Sequence, residues 1–164
     1  MQTFIINFLI GIGIVRIFFE QNPGVEVNAS NAFLAFIVVY FLLWLLSYFY
    51  DLNHFRKLPK VFSLIFFFLK ELIKANWRIA YDVLTPRFLL SPAVVAYPME
   101  ARTNLEITLL ANLISLTPGS LTIDVSDDRK ILYFHSMYVE NNDLEALKQE
   151  IKNGFEKKIL DITR

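Results

Sequence analysis

Residues 113–139 read LISLTPGSLTIDVSDDRKILYFHSMYV: the close of a helix, a tight turn and a two-stranded hairpin. Thr117, Pro118 and Gly119 supply the turn. Proline presets one backbone angle and glycine is free to take a positive φ, so the helix stops and the chain reverses. Leu121, Ile123 and Val125 alternate with Thr122, Asp124 and Ser126, the period of a strand with one apolar and one polar face. Asp127, Asp128, Arg129 and Lys130 connect it to a second strand over 131–139.

The neighbouring segments extend this into a small domain. Upstream, the apolar run 93–97 predicts a short strand, and Thr103 with Glu106 forms a T-x-x-E capping box that opens a helix reaching about Leu116. Downstream, Asn142 with Glu145 starts a final helix whose Leu144, Leu147, Ile151, Phe155 and Ile159 form one stripe. The predicted order is β-α-β-β-α. It makes up most of a ferredoxin-like split βαβ unit, an antiparallel sheet with two helices on one face. The helix over 105–116 carries leucine and isoleucine around more than one face, so it is expected to be covered on a second side by lipid, a partner or the preceding linker.

The front of the chain has the opposite character. Residues 3–19 hold one charge and residues 32–50 none, and at 1.5 Å per residue they extend about 26 and about 28 Å, close to the hydrocarbon thickness of a bilayer. Both are predicted to span. Arg16 opposes insertion by roughly 3 kcal/mol, whereas the Ile, Leu, Phe and Val residues between Phe4 and Phe19 favour it by about 4 to 7 kcal/mol. Arg16 lies near the end of its span and one turn from Glu20, which suits snorkelling with an i,i+4 partner and makes it a candidate lipid or partner contact. The first segment has neither a basic leader nor an A-x-A site, so it is not expected to be a removable signal.

Flanking charge sets the expected orientation. The connection QNPGVEVNAS holds Glu26, directly follows Glu20 and has no base, while DLNHFRKLPK after the second span holds Arg56, Lys57 and Lys60. The positive-inside rule then places residues 51 onward, and the N-terminus, in the cytoplasm. Asn28-Ala29-Ser30 matches a glycosylation sequon but reads better as capping of the second span. Residues 51–60 read as a basic loop. Over 61–84, Phe62, Ile65, Phe66, Leu69, Ile73, Trp77 and Tyr81 fall opposite Lys70, Lys74, Arg78 and Asp82, which predicts an amphipathic helix at the cytoplasmic interface, with a third span as the alternative. Lys70, Lys74 and Arg78 are candidate lipid or partner contacts. Thr85-Pro86 and Ser91-Pro92 mark a linker. Three parts result: a two-helix membrane region at 1–50, a basic loop, amphipathic helix and linker at 51–92, and a cytoplasmic α+β domain at 93–164.

The whole chain of 164 residues is 55% hydrophobic, which fits one membrane region and one small domain better than a large transporter. No cysteine is present, which excludes disulfides, thiolate metal sites and cysteine nucleophiles. His54 and His135 lack a second histidine at ligand spacing, so no metal is expected. No phosphate-binding glycine loop, nucleophile elbow or basic aromatic surface occurs, so neither a cofactor nor a nucleic acid is expected. Asp124, Asp127 and Asp128 read as turn chemistry before they read as acid/base groups. With Arg16 the one charge inside a span, the chain is not expected to conduct ions by itself.

The runs LLANLISLTPGSLTIDVSDDRKILYFHSMYV, VVAYPMEARTNLE, FFFLKELIKANW and FEKKILDITR resemble the E subunit of Mrp-type multisubunit Na+/H+ antiporters of bacteria and archaea. The resemblance covers nearly the whole chain and is carried by SLTPG and the D-x-SDD core. It implies a small, non-catalytic subunit that supports assembly and activity, with other antiporter subunits and membrane lipids as partners. It carries over no catalytic residue. Thr117, Pro118, Gly119 and Ser120 shape the join from helix to strand, and Asp124, Asp127 and Asp128 offer a docking surface. A membrane-anchored module that senses a ligand is the alternative.

Overall fold

The computed structural model describes residues 2–26, 28–85, 90–139 and 143–164. They form two compact units, residues 1–59 and 60–164.

The first unit pairs α1 (Gln2–Gln21) with α2 (Ala29–Tyr50) and takes in the start of α3 (Leu52–Leu84). Asn28 caps α2, its side chain accepting from the Asn31 amide at 2.8 Å. Thr3–Gln21 and Ala29–Phe49 are long and apolar enough to cross a membrane. Their large apolar side chains mostly point outward, whereas Asn7 and Ser47 are buried. That inversion of the usual pattern is what lipid as solvent demands. Gly11 lets the two helices approach: a Cβ there would sit 3.1 Å from the Phe36 ring.

The loop expected over 51–60 is instead helix. A single residue, Asp51, separates α2 from α3, its amide donating to the Ser47 carbonyl at 2.7 Å and its carboxylate accepting from the Thr3 hydroxyl at 2.6 Å. Proline in a helix interior normally breaks it, because it has no N–H for the carbonyl four residues back. Pro59 lies inside α3, and that carbonyl, Phe55, instead accepts from the indole Nε1 of Trp44 at 3.0 Å. The Trp44 and Phe55 rings stack with centroids 4.9 Å apart.

The second unit contains β1 (Ala93–Pro98), α4 (Asn104–Leu116), β2 (Ser120–Val125) and β3 (Ile131–Ser136). Its terminal helix runs as α5 (Leu144–Ile151), a π-helical turn (Lys152–Glu156) and α6 (Lys157–Thr163). The strand order is β1-β3-β2, with β3 antiparallel to both neighbours. Val95, Tyr97, Leu132 and Phe134 point to one face, where Leu110 and Ile114 of α4 and Ile151, Phe155 and Ile159 of the terminal helix bury them. Asn142 lies outside the described residues; Asp143 caps α5, accepting from the Ala146 amide at 2.9 Å.

Two local expectations change. Ile123 bulges out of register between Thr122 and Asp124, and Leu121 and Ile123 stay 59% and 55% exposed on the uncovered face. Thr122 faces the helices, its amide donating to the Ser115 hydroxyl and its own hydroxyl to the Ala111 carbonyl. On α4, Leu105 and Leu116 remain exposed, the surplus apolar surface expected of it. The linker residues 86–89 lie outside the described set.

Residues 60–84 of α3 belong to the second unit. Leu64, Phe67 and Phe68 pack against its core, while Phe62, Phe66, Ile73 and Trp77 are exposed on the other side. The Phe67 ring meets Phe155 edge-on at 5.2 Å and presses on the π turn, where a Cβ on Gly154 would lie 2.6 Å from it.

Candidate functional site

The expected basic stripe winds across α3. A spacing of four exceeds the 3.6 residues of a turn, so each step rotates about 40°. Lys70 therefore sits exposed beside the apolar face, whereas Lys74 reaches Glu150 of α5 at 3.2 Å and Glu71 at 3.8 Å. Arg78 lies 5.3 Å from the centre of the Tyr138 ring, and Asp82 is buried. Burial and then the Asp82 carboxylate raise the Tyr138 phenol above its ordinary pKa.

Glu71, Lys74, Arg78, Tyr138 and Glu150 rim a cavity of about 110 Å³. Phe67, Ile114, Phe134 and Phe155 line its apolar part, and Thr117, Pro118 and Gly119 close one wall. The turn is built tightly. Thr117 donates through its amide to the Ile114 carbonyl and through its hydroxyl to Leu113, and the Gly119 carbonyl accepts from the Met137 amide at 2.7 Å. Gly119 has φ +89°, and a Cβ there would meet the Tyr138 ring at 3.2 Å, so both backbone angle and space require glycine.

Asp124 lies within β2, opposite Tyr133, and Asp127 and Asp128 stand in the hairpin connection. Asp124 accepts from the Val125 amide at 2.7 Å. Asp128 accepts from the Ser126 hydroxyl at 2.7 Å and the Lys130 amide at 3.2 Å, and these bonds lower its pKa. Arg129 takes the left-handed φ of 56° that the reversal needs and donates to Asn104. Among the described residues no three His, Cys, Asp or Glu side chains gather into a metal site. His135 pairs across the sheet with Val94 and Leu121. In the first unit Arg16 Nε binds Glu20 Oε1 at 2.9 Å, at the rim of a groove between α1 and α2.

One pairing escapes sequence reasoning. Glu106 and Glu156 are only 2% and 1% exposed, and between them they accept from four successive amides. Glu156 takes Glu100 and Ala101, at 2.6 and 2.9 Å, together with the Tyr97 hydroxyl at 2.6 Å. Glu106 takes Arg102 and Thr103, at 2.9 and 3.0 Å, together with the Thr163 hydroxyl at 2.8 Å. The amides of Arg102 and Thr103 hold Glu106 down to a pKa of about 2. Burial first, and then Glu156, push the Tyr97 phenol up. The capping box pointed to Glu106; nothing local points to Glu156, whose partners lie more than fifty residues away in sequence.

These buried charges clamp a loop and present no group to a substrate, so likeness to known proteins is what assigns a role. A family model described as Na+/H+ ion antiporter subunit matches residues 2–162. The chain belongs to that family. The E subunit of the Na+/H+ antiporter of Alkalihalophilus pseudofirmus is 38% identical over 145 residues, covering 84% of this chain and 90% of the relative. The E subunit of the Na+/H+ antiporter of Bacillus subtilis is 43% identical over 108 residues, covering 66% and 67%. A chain of the membrane-bound sulfane sulfur reductase, an archaeal respiratory membrane complex, superposes with TM-score 0.56 and 23% identity over 93% of this chain and 96% of that one, a likeness of fold. Family membership and two outward-facing apolar helices make this antiporter-family chain a membrane protein of α+β class.

Proposed function

We propose that the chain is a non-catalytic subunit of a multisubunit Na+/H+ antiporter in the cell membrane, supporting assembly and activity of the subunits that move ions. The observation that carries this reading is how the charged side chains are used. Glu106 and Glu156 hold backbone amides, and Lys74 and Asp128 serve contacts inside the module. Large apolar surfaces are left outward on the flanks of α1 and α2, the α3 stripe and the open sheet face. Such surfaces suit lipid and protein neighbours.

In this reading α1 and α2 are two membrane passes with both termini cytoplasmic, as the bases after α2 favour. The module is a three-stranded ferredoxin-like unit, supported by the β1-β3-β2 order. Residues 60–84 of α3 lie at the interface, with Phe62, Phe66, Ile73 and Trp77 toward lipid and Lys70 at headgroup level. Deleting the coding sequence from a host without other Na+ exporters is expected to abolish growth at alkaline pH and high Na+; unchanged growth would overturn the assignment.

The cavity beside Thr117 to Gly119 favours a second reading, a membrane-anchored ligand-sensing module. A screen of small molecules against the full chain separates the two: specific thermal stabilisation, abolished by filling the cavity with Ala75→Phe, belongs only to the sensor.

A further inference from the structure

We propose that the groove between α1 and α2, at the Gln21 end, is a phospholipid site selective for a phosphoethanolamine headgroup. The proposal rests on the reading of α1 and α2 as membrane spans. Ile12, Val15 and Phe19 of α1 and Ala32 and Phe36 of α2 form the walls, and Arg16 and Glu20 stand at the lip. Apolar walls at that depth accept an acyl chain.

The lip fixes the headgroup chemistry. Arg16 is five residues short of the end of α1, about 7.5 Å along the axis. Helical Cα–Cβ bonds tilt toward the N-terminus, away from this end, so the side chain has to turn back to reach headgroup level. The bond from Nε to Glu20 holds it there, at 2.9 Å, with the two side chains 80% and 61% exposed. Nε is only one donor of the fork; the terminal amino groups carry the rest, in the planar geometry that suits phosphate.

A cation and an anion side by side match a zwitterion. A phosphate alone meets Arg16 but also faces the like charge of Glu20. A choline ammonium balances Glu20 yet has no N–H to donate. A primary ammonium does both: it donates to Glu20 while its phosphate accepts from Arg16, giving two charge-assisted contacts above the buried acyl chain.

The test is native mass spectrometry of the full-length chain in detergent, titrated with phosphatidylethanolamine, phosphatidylcholine and phosphatidylglycerol of identical acyl chains. Ethanolamine lipid is expected to be retained about tenfold better than the others, the effect of one hydrogen bond to a charged group. Glu20→Gln is expected to erase the ethanolamine-over-choline preference. Arg16→Gln is expected to weaken all three lipids about tenfold, and Arg16→Lys to restore phosphate binding. Equal retention of the three lipids by the wild-type chain, or no change in Arg16→Gln, would overturn the site. So would photocrosslinking from residue 16 that captures a protein neighbour in place of lipid. Because the titration uses the chain by itself, its outcome is independent of whether the chain co-purifies with other antiporter subunits.

Discussion

Trp44 donates its indole N–H to the Phe55 carbonyl at 3.0 Å, the very carbonyl that Pro59 leaves without a helical partner. A donor from the preceding helix thus lets α3 run through its proline. Trp44→Phe keeps the stacked ring and removes the donor, and is expected to cost about 1–3 kcal/mol in thermal unfolding of the detergent-solubilised chain. In a Pro59→Ala background the restored amide supplies the missing bond, so the same substitution should cost less than half as much. Equal costs in the two backgrounds would remove Trp44 from this role.

Gly154 and Phe67 set a second expectation. A methyl group at Gly154 would lie 2.6 Å from the Phe67 ring, so Gly154→Ala is expected to destabilise the chain by about 1–3 kcal/mol through overpacking. Phe67→Leu relieves the clash. The double variant should therefore be more stable than the sum of the single effects, which a double-mutant cycle of melting temperatures reads directly.

Glu106 gives the pH dependence. Its carboxyl titrates near 2 in the folded chain, below the ordinary 4.5, because its charged form accepts the amides of Arg102 and Thr103. A carboxylate held down in this way stabilises the fold fully above about 4.5 and loses that contribution as pH falls toward 2. Wild-type melting temperature is expected to drop across that window. Glu106→Gln should melt lower at neutral pH and show a shallower acid limb; an unchanged limb would refute the clamp.

Gly119 is the point where the turn admits no side chain. With φ at +89° and the Tyr138 ring 3.2 Å from a Cβ, Gly119→Ala is expected to cost about 1–3 kcal/mol. Asp127→Asn, in the neighbouring hairpin connection, should stay within about 0.5 kcal/mol if that connection is a simple turn. A screen of Na+ tolerance in which the Asp127 variant failed and the Gly119 variant did not would reverse this order.

Legibility followed the range of the interactions. The hairpin, the Pro118-Gly119 turn and the Thr103-Glu106 box depend on neighbours in sequence, and all three could be read from residue types alone. Leu52 to Pro59 could not, because its helix depends on a donor eleven residues upstream. The Ile123 bulge opposite β3 and the π turn at Gly154 beside Phe67 of α3 are features that no periodicity announces. The basic stripe was visible in the sequence but its destination was not: a four-residue spacing drifts, and only the packed face of α3 shows that Lys74 and Arg78 turn toward the module while Lys70 stays outside. Glu156 was the hardest of all, a glutamate in a charged helix whose amide partners are distant.

The proposed role is attachment to larger membrane subunits, and it stands or falls on what the chain carries with it out of the bilayer. The decisive measurement is mild detergent extraction followed by blue native electrophoresis, with an epitope on the chain. Co-migration with polytopic antiporter subunits in one large species is the expected result; a chain that migrates by itself in its lipid and detergent belt would refute the role.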